Sequence, residues 1–142
     1  MARQDHLGRL IDHVHLVVRD VDASRRFYAA VLRAIGRELS YEAGDAFACD
    51  ELFVSGAEEV GSHSTGPHRV HLAFQVSDRE AVARFHAAAL SAGGRDNGAP
   101  GERSYHLGYF AAFVLDPDGN NIEAVHHGRG RRSAAAVVIT LD

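Results

Sequence analysis

Glu123 and two histidines are the residues of this chain whose types and placement could do chemistry. Glu123 stands in NIEAV, directly after Asp116-Pro117-Asp118-Gly119. That tetrapeptide reads as a tight turn, because the fixed φ of Pro117 suits its second position and Gly119 can take a left-handed closing conformation. The flanking strands are then FAAFVL and NIEAV. Side chains alternate along a strand, so Ile122 and Ala124 fall on one face and Asn121, Glu123 and Val125 on the other. A carboxylate inside such a strand needs an ion-pair partner, such as Arg69, or a metal ion. His13 and His71 are the groups that a repeat in the chain relates to one another, and imidazole is the commonest protein ligand for transition metals.

The elements that position these residues are legible as a repeat. VVRDVDASRRFYAAVL aligns without a gap on FQVSDREAVARFHAAAL when 58 is added to each number. Val18/Val76, Asp20/Asp78, Phe27/Phe85, Leu32/Leu90 and Gly36/Gly94 are among the identical pairs. A register held from strand through helix to the terminating glycine marks a duplicated structural unit. His13 maps to His71, since 71 − 13 = 58. DHVHLVV alternates as a half-buried strand with Val14, Leu16 and Val18 on one face and His13, His15 and Val17 on the other. A helix follows in each copy, with i,i+4 apolar pairs Phe27/Val31 and Tyr28/Leu32 in the first and a capping-box signature at Ser77 and Glu80 in the second. YEAGDAFAC and LFV are further strands around a turn at Asp50-Glu51, and the Gly- and Ser-rich residues 55–68 connect the halves.

Composition narrows the function classes. A chain of 142 residues fits one domain, here residues 1–128, with modules at about 11–58 and 68–127 and a basic linker and tail at 129–142. A single cysteine, Cys49, excludes an internal disulfide. Cys49 is expected as a small core residue. The N-terminal MARQDHLGRL lacks the apolar run of a signal peptide, so a cytoplasmic location is expected. A net charge of −4 argues against nucleic-acid partners, and no apolar run approaches bilayer length, which argues against a membrane. Asp116 to Asn120 is not a calcium loop, for want of Gly and Glu at the sixth and twelfth positions. The tail AAAVVITLD could add an edge strand or pack on a partner chain.

A βαβββ unit written twice, opened by D-H-V-x-L-x-V-x-D and closed by F-x-x-D-P-D-G-N-x-I-E, resembles the vicinal oxygen chelate superfamily of glyoxalases, bleomycin-resistance proteins and extradiol dioxygenases. The resemblance spans roughly residues 11–127 and implies an α+β fold: two βαβββ modules forming a curved, cup-like mixed sheet with helices on its outer face. It places metal ligands at His13, His71 and Glu123, around a divalent ion such as Fe, Mn, Ni or Zn. A fourth ligand on the last strand of module one would fall on Phe53, which cannot coordinate, and Glu51 would need a shifted register. Two histidines and one carboxylate leave positions open for substrate oxygens, water or dioxygen. The implied activity is a lyase, an isomerase or a ring-cleaving dioxygenase acting on a small substrate with adjacent oxygens, in a homodimer. The alternative is a metal-free small-molecule binding protein of the bleomycin-resistance type.

The remaining candidates lie in residues 96–109, DNGAPGERSYHLGY, which read as a long loop of the kind that covers sites. Tyr105, His106 and Tyr109 are, with Glu123, the catalytic candidates, because tyrosine and histidine can both donate and accept protons. His15, two residues from His13 on the same face, could line the pocket or act in acid–base chemistry.

Overall fold

The computed structural model describes residues 11, 13–56, 69–131 and 134. The proposed inter-module connection beyond residue 56 and nearly all of the C-terminal tail lie outside the described residues. The elements run β1 (Val14–Val18), α1 (Val21–Ala34), β2 (Tyr41–Glu42), β3 (Ala46–Cys49), β4 (Leu52–Gly56), then β5 (His71–Gln75), α2 (Arg79–Ser91), β6 (Arg95–Glu102), β7 (Phe110–Leu115) and β8 (Asn121–His126). This is the expected α+β fold of two βαβββ modules. Each module is a four-stranded mixed sheet, ordered β1-β4-β3-β2 and β5-β8-β7-β6. In each the first strand lies parallel to the last, β1 on β4 and β5 on β8. No described helix is long and apolar enough to cross a membrane.

The helices form where the repeat places them, and the repeat extends to their caps. Asp20 accepts the amide of Ala23 at 3.0 Å, and Asp78 accepts that of Ala81 at 2.7 Å. The second cap is therefore Asp78 and not the Ser77 of the capping-box reading, because a carboxylate one residue closer takes the exposed helix amide. Phe27, Tyr28, Val31 and Leu32 bury one stripe of α1, and Val82, Phe85 and Ala89 one of α2. The α1 stripe, Phe85 and Ala89 join Leu16, Val18, Phe47, Val54, Ile122 and Ala124 in one core cluster that spans both modules. Gly36 and Gly94 match in sequence but serve differently. Gly36 ends α1 at φ +81, whereas a Cβ on Gly94 would stand 2.6 Å from the Phe27 ring, so Gly94 is required for the modules to close together.

The extent of the loop before the final hairpin differs from the sequence expectation. Residues 95–102 are a strand, so the loop before the final hairpin is only 103–109. Gly and Pro suggested irregular chain there, yet β6 accommodates them through register shifts between Asp96 and Gly98 and between Gly98 and Gly101. The 116–119 turn forms as expected, with Gly119 at φ +87 and its amide donating to the Asp116 carbonyl at 2.9 Å. Its buried Asp116 carboxylate also reaches across to module one.

Asp116 accepts the Tyr28 hydroxyl at 2.5 Å, the Asn120 amide side chain at 2.9 Å, and the backbone amides of Asp118 and Asn120 at 3.0 and 2.7 Å. Burial and the adjacent Asp116 charge hold the Tyr28 phenol far above its ordinary pKa, so it stays a donor. Tyr28→Phe is expected to lower unfolding stability by about 1.5–3 kcal/mol, the cost of losing a hydrogen bond to a buried charged group. Urea titration followed by circular dichroism checks it, and a change below about 0.5 kcal/mol would show that the Tyr28 bond does not tie the modules.

Candidate functional site

The sheet of module two buries one face against α2 and leaves the other open. In register across the open face, Ala73 of β5 meets Glu123 of β8, and Glu123 meets Phe113 of β7. One step along, His71 meets Asn121. Glu123 is 2% exposed although its face is open, because neighbouring side chains close over it. Its Oε2 lies 3.0 Å from His71 Nε2, and its Oε1 accepts the Tyr109 hydroxyl. The proposed ion pair with Arg69 does not form. Arg69 is exposed and its guanidinium lies beside Gly119 instead.

Together with Tyr105, Phe113 and Asn121, these three groups line a cavity of about 310 Å³. The His71 and Phe113 rings stack with centroids 6.0 Å apart. Burial first, then the hydrogen bond and charge of Glu123, raise the Tyr109 phenol well above its ordinary pKa. Tyr109 therefore keeps its proton and donates a hydrogen bond to a carboxylate that would otherwise be buried with a single partner.

The 103–109 loop brings Tyr105 and Tyr109 to the cavity, their rings in edge contact at 4.9 Å. His106 does not line the cavity. Its Nε2 pairs with His127 Nδ1 at 2.9 Å, and the stacked His106 and His127 rings back Tyr109 from behind. Burial, then the charge of His106, lower the pKa of His127. His127, Phe113 and Asn121 were not singled out in the sequence. Phe113 and Asn121 become identifiable once the Asp116 turn sets the hairpin register, whereas the contact of His127 depends on how the loop folds.

In module one the equivalent row is His15, Phe53, Ala48 and Tyr41. Phe53 occupies the position of Glu123, the place to which the resemblance assigns a fourth ligand. His15 packs edge-on against Phe53 at 4.8 Å, and its Nε2 meets the Ser55 hydroxyl at 2.7 Å. It belongs to the wall of this second, aromatic row. His13 is exposed just before β1, as His71 opens β5. Among the described residues no group of three or more His, Cys, Asp or Glu side chains is arranged to hold a metal ion. Of the three ligands expected from the sequence, the chain itself brings His71 and Glu123 together. Cys49 is buried in the core, as expected.

The sequence model of the Glyoxalase/Bleomycin resistance protein/Dioxygenase superfamily matches residues 10–124. Comparison with the curated proteins returned no match. Among solved structures, a glyoxalase/bleomycin resistance protein from Albidiferax ferrireducens T118 superposes with a TM-score of 0.70 at 26% identity, over 82% of this chain and 98% of its own. A glyoxalase/bleomycin resistance protein/dioxygenase family enzyme from Burkholderia phytofirmans PsJN gives 0.62 at 25% identity, over 82% and 97%. The lactoylglutathione lyase of Agrobacterium tumefaciens shares the fold, with a TM-score of 0.61 at 19% identity over 83% and 93%. With a family match over most of its length and the paired βαβββ modules in place, the chain belongs to the Glyoxalase/Bleomycin resistance protein/Dioxygenase superfamily.

Proposed function

We propose that this chain is a divalent-metal-dependent enzyme acting on a small substrate with two adjacent oxygens, by lyase, isomerase or ring-cleaving dioxygenase chemistry. The observation that carries this reading is the 3.0 Å approach of His71 Nε2 to Glu123 Oε2 at the wall of a cavity. Two ligands each about 2.1 Å from one ion, at right angles, stand about 3 Å apart, so the pair fits a metal. The third ligand is assigned to His13, which holds in module one the place of His71. In a homodimer a second copy of the chain would bring its His13 to this cavity. Fe, Mn, Ni or Zn suits such a donor set, and a bound ion would act as a Lewis acid on the substrate oxygens. The chain's own groups do the rest: Tyr109 holds a proton beside Glu123, and Tyr105 and Phe113 form an apolar wall that orients a ligand.

A metal-free binding protein is the competing function, favoured by Phe53 at the fourth position and by a Glu123 whose two oxygens already have protein partners. Elemental analysis of protein purified without tag or chelator separates the two. The metalloenzyme should carry about one equivalent of divalent metal, lost in His13→Ala, His71→Ala and Glu123→Ala. Wild-type protein holding less than about a tenth of an equivalent, even after Fe(II), Mn(II), Ni(II) or Zn(II) is added, would leave the binder standing.

Tyr109→Phe deprives the buried carboxylate of a donor and should cost about 1–3 kcal/mol of stability. If Glu123 is a metal ligand, adding the divalent ion recovers part of that loss. Denaturant titrations with and without metal measure both terms, and equal curves would count against coordination.

The loop that carries Tyr105 and Tyr109 should respond to pH through His106 and His127. Their 2.9 Å contact requires one ring to accept, so it cannot survive protonation of both. His127 has a folded pKa below its unfolded value, so the folded state binds fewer protons. Its contribution is complete above the unfolded value of about 6.5 and is lost as pH falls through the lower folded value. Tyrosine fluorescence should report loop release below about pH 6 in wild type and no such step in His106→Ala. A step of the same size in the variant would place the pH response elsewhere.

A further inference from the structure

The open face that carries Glu123 ends at β6 in two residues without side chains. Gly98 is in register with Phe113, and Gly101 with Ala111, so both point onto that face. Arg103 folds back over them. A Cβ on Gly98 would stand 3.2 Å from Arg103 Nη2, and one on Gly101 3.1 Å from Nη1. The guanidinium lies 5.4 Å from the Phe113 ring centroid, within cation–π range, on the cavity side of the sheet. Its charge also acts on the Tyr109 phenol.

The contrast with Arg79 shows what is unusual here. Arg79 stacks over Phe110 at 4.6 Å, and Glu102 neutralises it at 2.8 Å. Arg103 has only carbonyl partners among the described residues: Ala99 at 2.8 Å and Glu102 at 3.3 Å. Those bonds hold the group in place and occupy two of its five N–H donors. A fixed, half-buried cation thus stands beside an aromatic cavity wall with donors to spare and no carboxylate.

We propose that Arg103 determines specificity at this cavity by selecting flat, conjugated ligands that carry a carboxylate. The ligand ring would sit in the cavity beside Tyr105 and the edge of Phe113 while its carboxylate takes the remaining guanidinium donors, in the geometry for which arginine is suited. The proposal rests on the reading of this cavity as the substrate site, but not on a metal.

Three probes separate charge from shape: benzoate is flat and anionic, benzamide flat and neutral, acetate anionic without a ring. Each is titrated into the full chain by NMR, as purified and after chelator treatment, in wild type, Arg103→Met and Arg103→Lys. Wild type should bind benzoate about tenfold or more tighter than benzamide or acetate. Arg103→Met should lose that preference while binding benzamide within about twofold of wild type, and Arg103→Lys should retain only part of it. If Arg103→Met does not fold, the wild-type ranking and Arg103→Lys still decide. Equal affinity for benzoate and benzamide in wild type, no binding of any probe, or a benzoate preference unchanged in the variants would overturn the proposal. Failure of the metalloenzyme reading shows instead as absent metal with the Arg103-dependent preference intact, because the variants leave His71 and Glu123 untouched.

Discussion

Four donors converge on the buried carboxylate of Asp116, and the placement of the site depends on that convergence. A carboxylate at 2% exposure is tolerable only with its lone pairs filled, so the turn cannot relax without exposing an unpaired charge to the core. Three of those bonds come from within the turn and set the register of β7 on β8. The fourth comes from Tyr28 on α1, which ties the hairpin of module two to the helix of module one. Asn120 extends the tie to β5, its Oδ1 accepting the Val70 amide at 2.9 Å. His71 is therefore set against β8 by the same turn that sets Glu123.

The two modules share a backbone plan and differ in what their open faces carry. At matching register module two has Ala73, Glu123 and Phe113, whereas module one has His15, Phe53 and Ala48. The small Ala73 leaves room for His71 to turn toward Glu123. In module one His15 occupies that room and packs on Phe53, so the equivalent surface is aromatic and closed to coordination. One module thus carries a buried carboxylate on its open face and the other an aromatic row.

Electrostatics at the polar site are arranged in depth. Glu123 lies buried with the Tyr109 phenol and the His71 ring on its two oxygens, and Tyr109 is backed by the His106–His127 pair. Phe113 separates Glu123 from the Arg103 guanidinium, which keeps a fixed positive charge near a negative one without a direct ion pair.

Much of this was written locally in the chain. The ungapped 58-residue repeat, the alternation in DHVHLVV and NIEAV, and the Asp116 to Gly119 turn determined two βαβββ modules and the face of Glu123, because strand alternation and turn chemistry act over a few neighbours; the mismatch at Phe53 came from the family resemblance. Residues 95–102 escaped that logic, since glycine and proline weaken strand propensity while pairing with β7 outweighs it. Only the tertiary structure decided that Glu123 meets Tyr109 and His71 rather than Arg69, that His106 supports the loop rather than facing the cavity, and that Arg103 covers Gly98 and Gly101. Those outcomes depend on which side chains reach a shared space once the strands are in register, and spacing along the sequence carries no record of that.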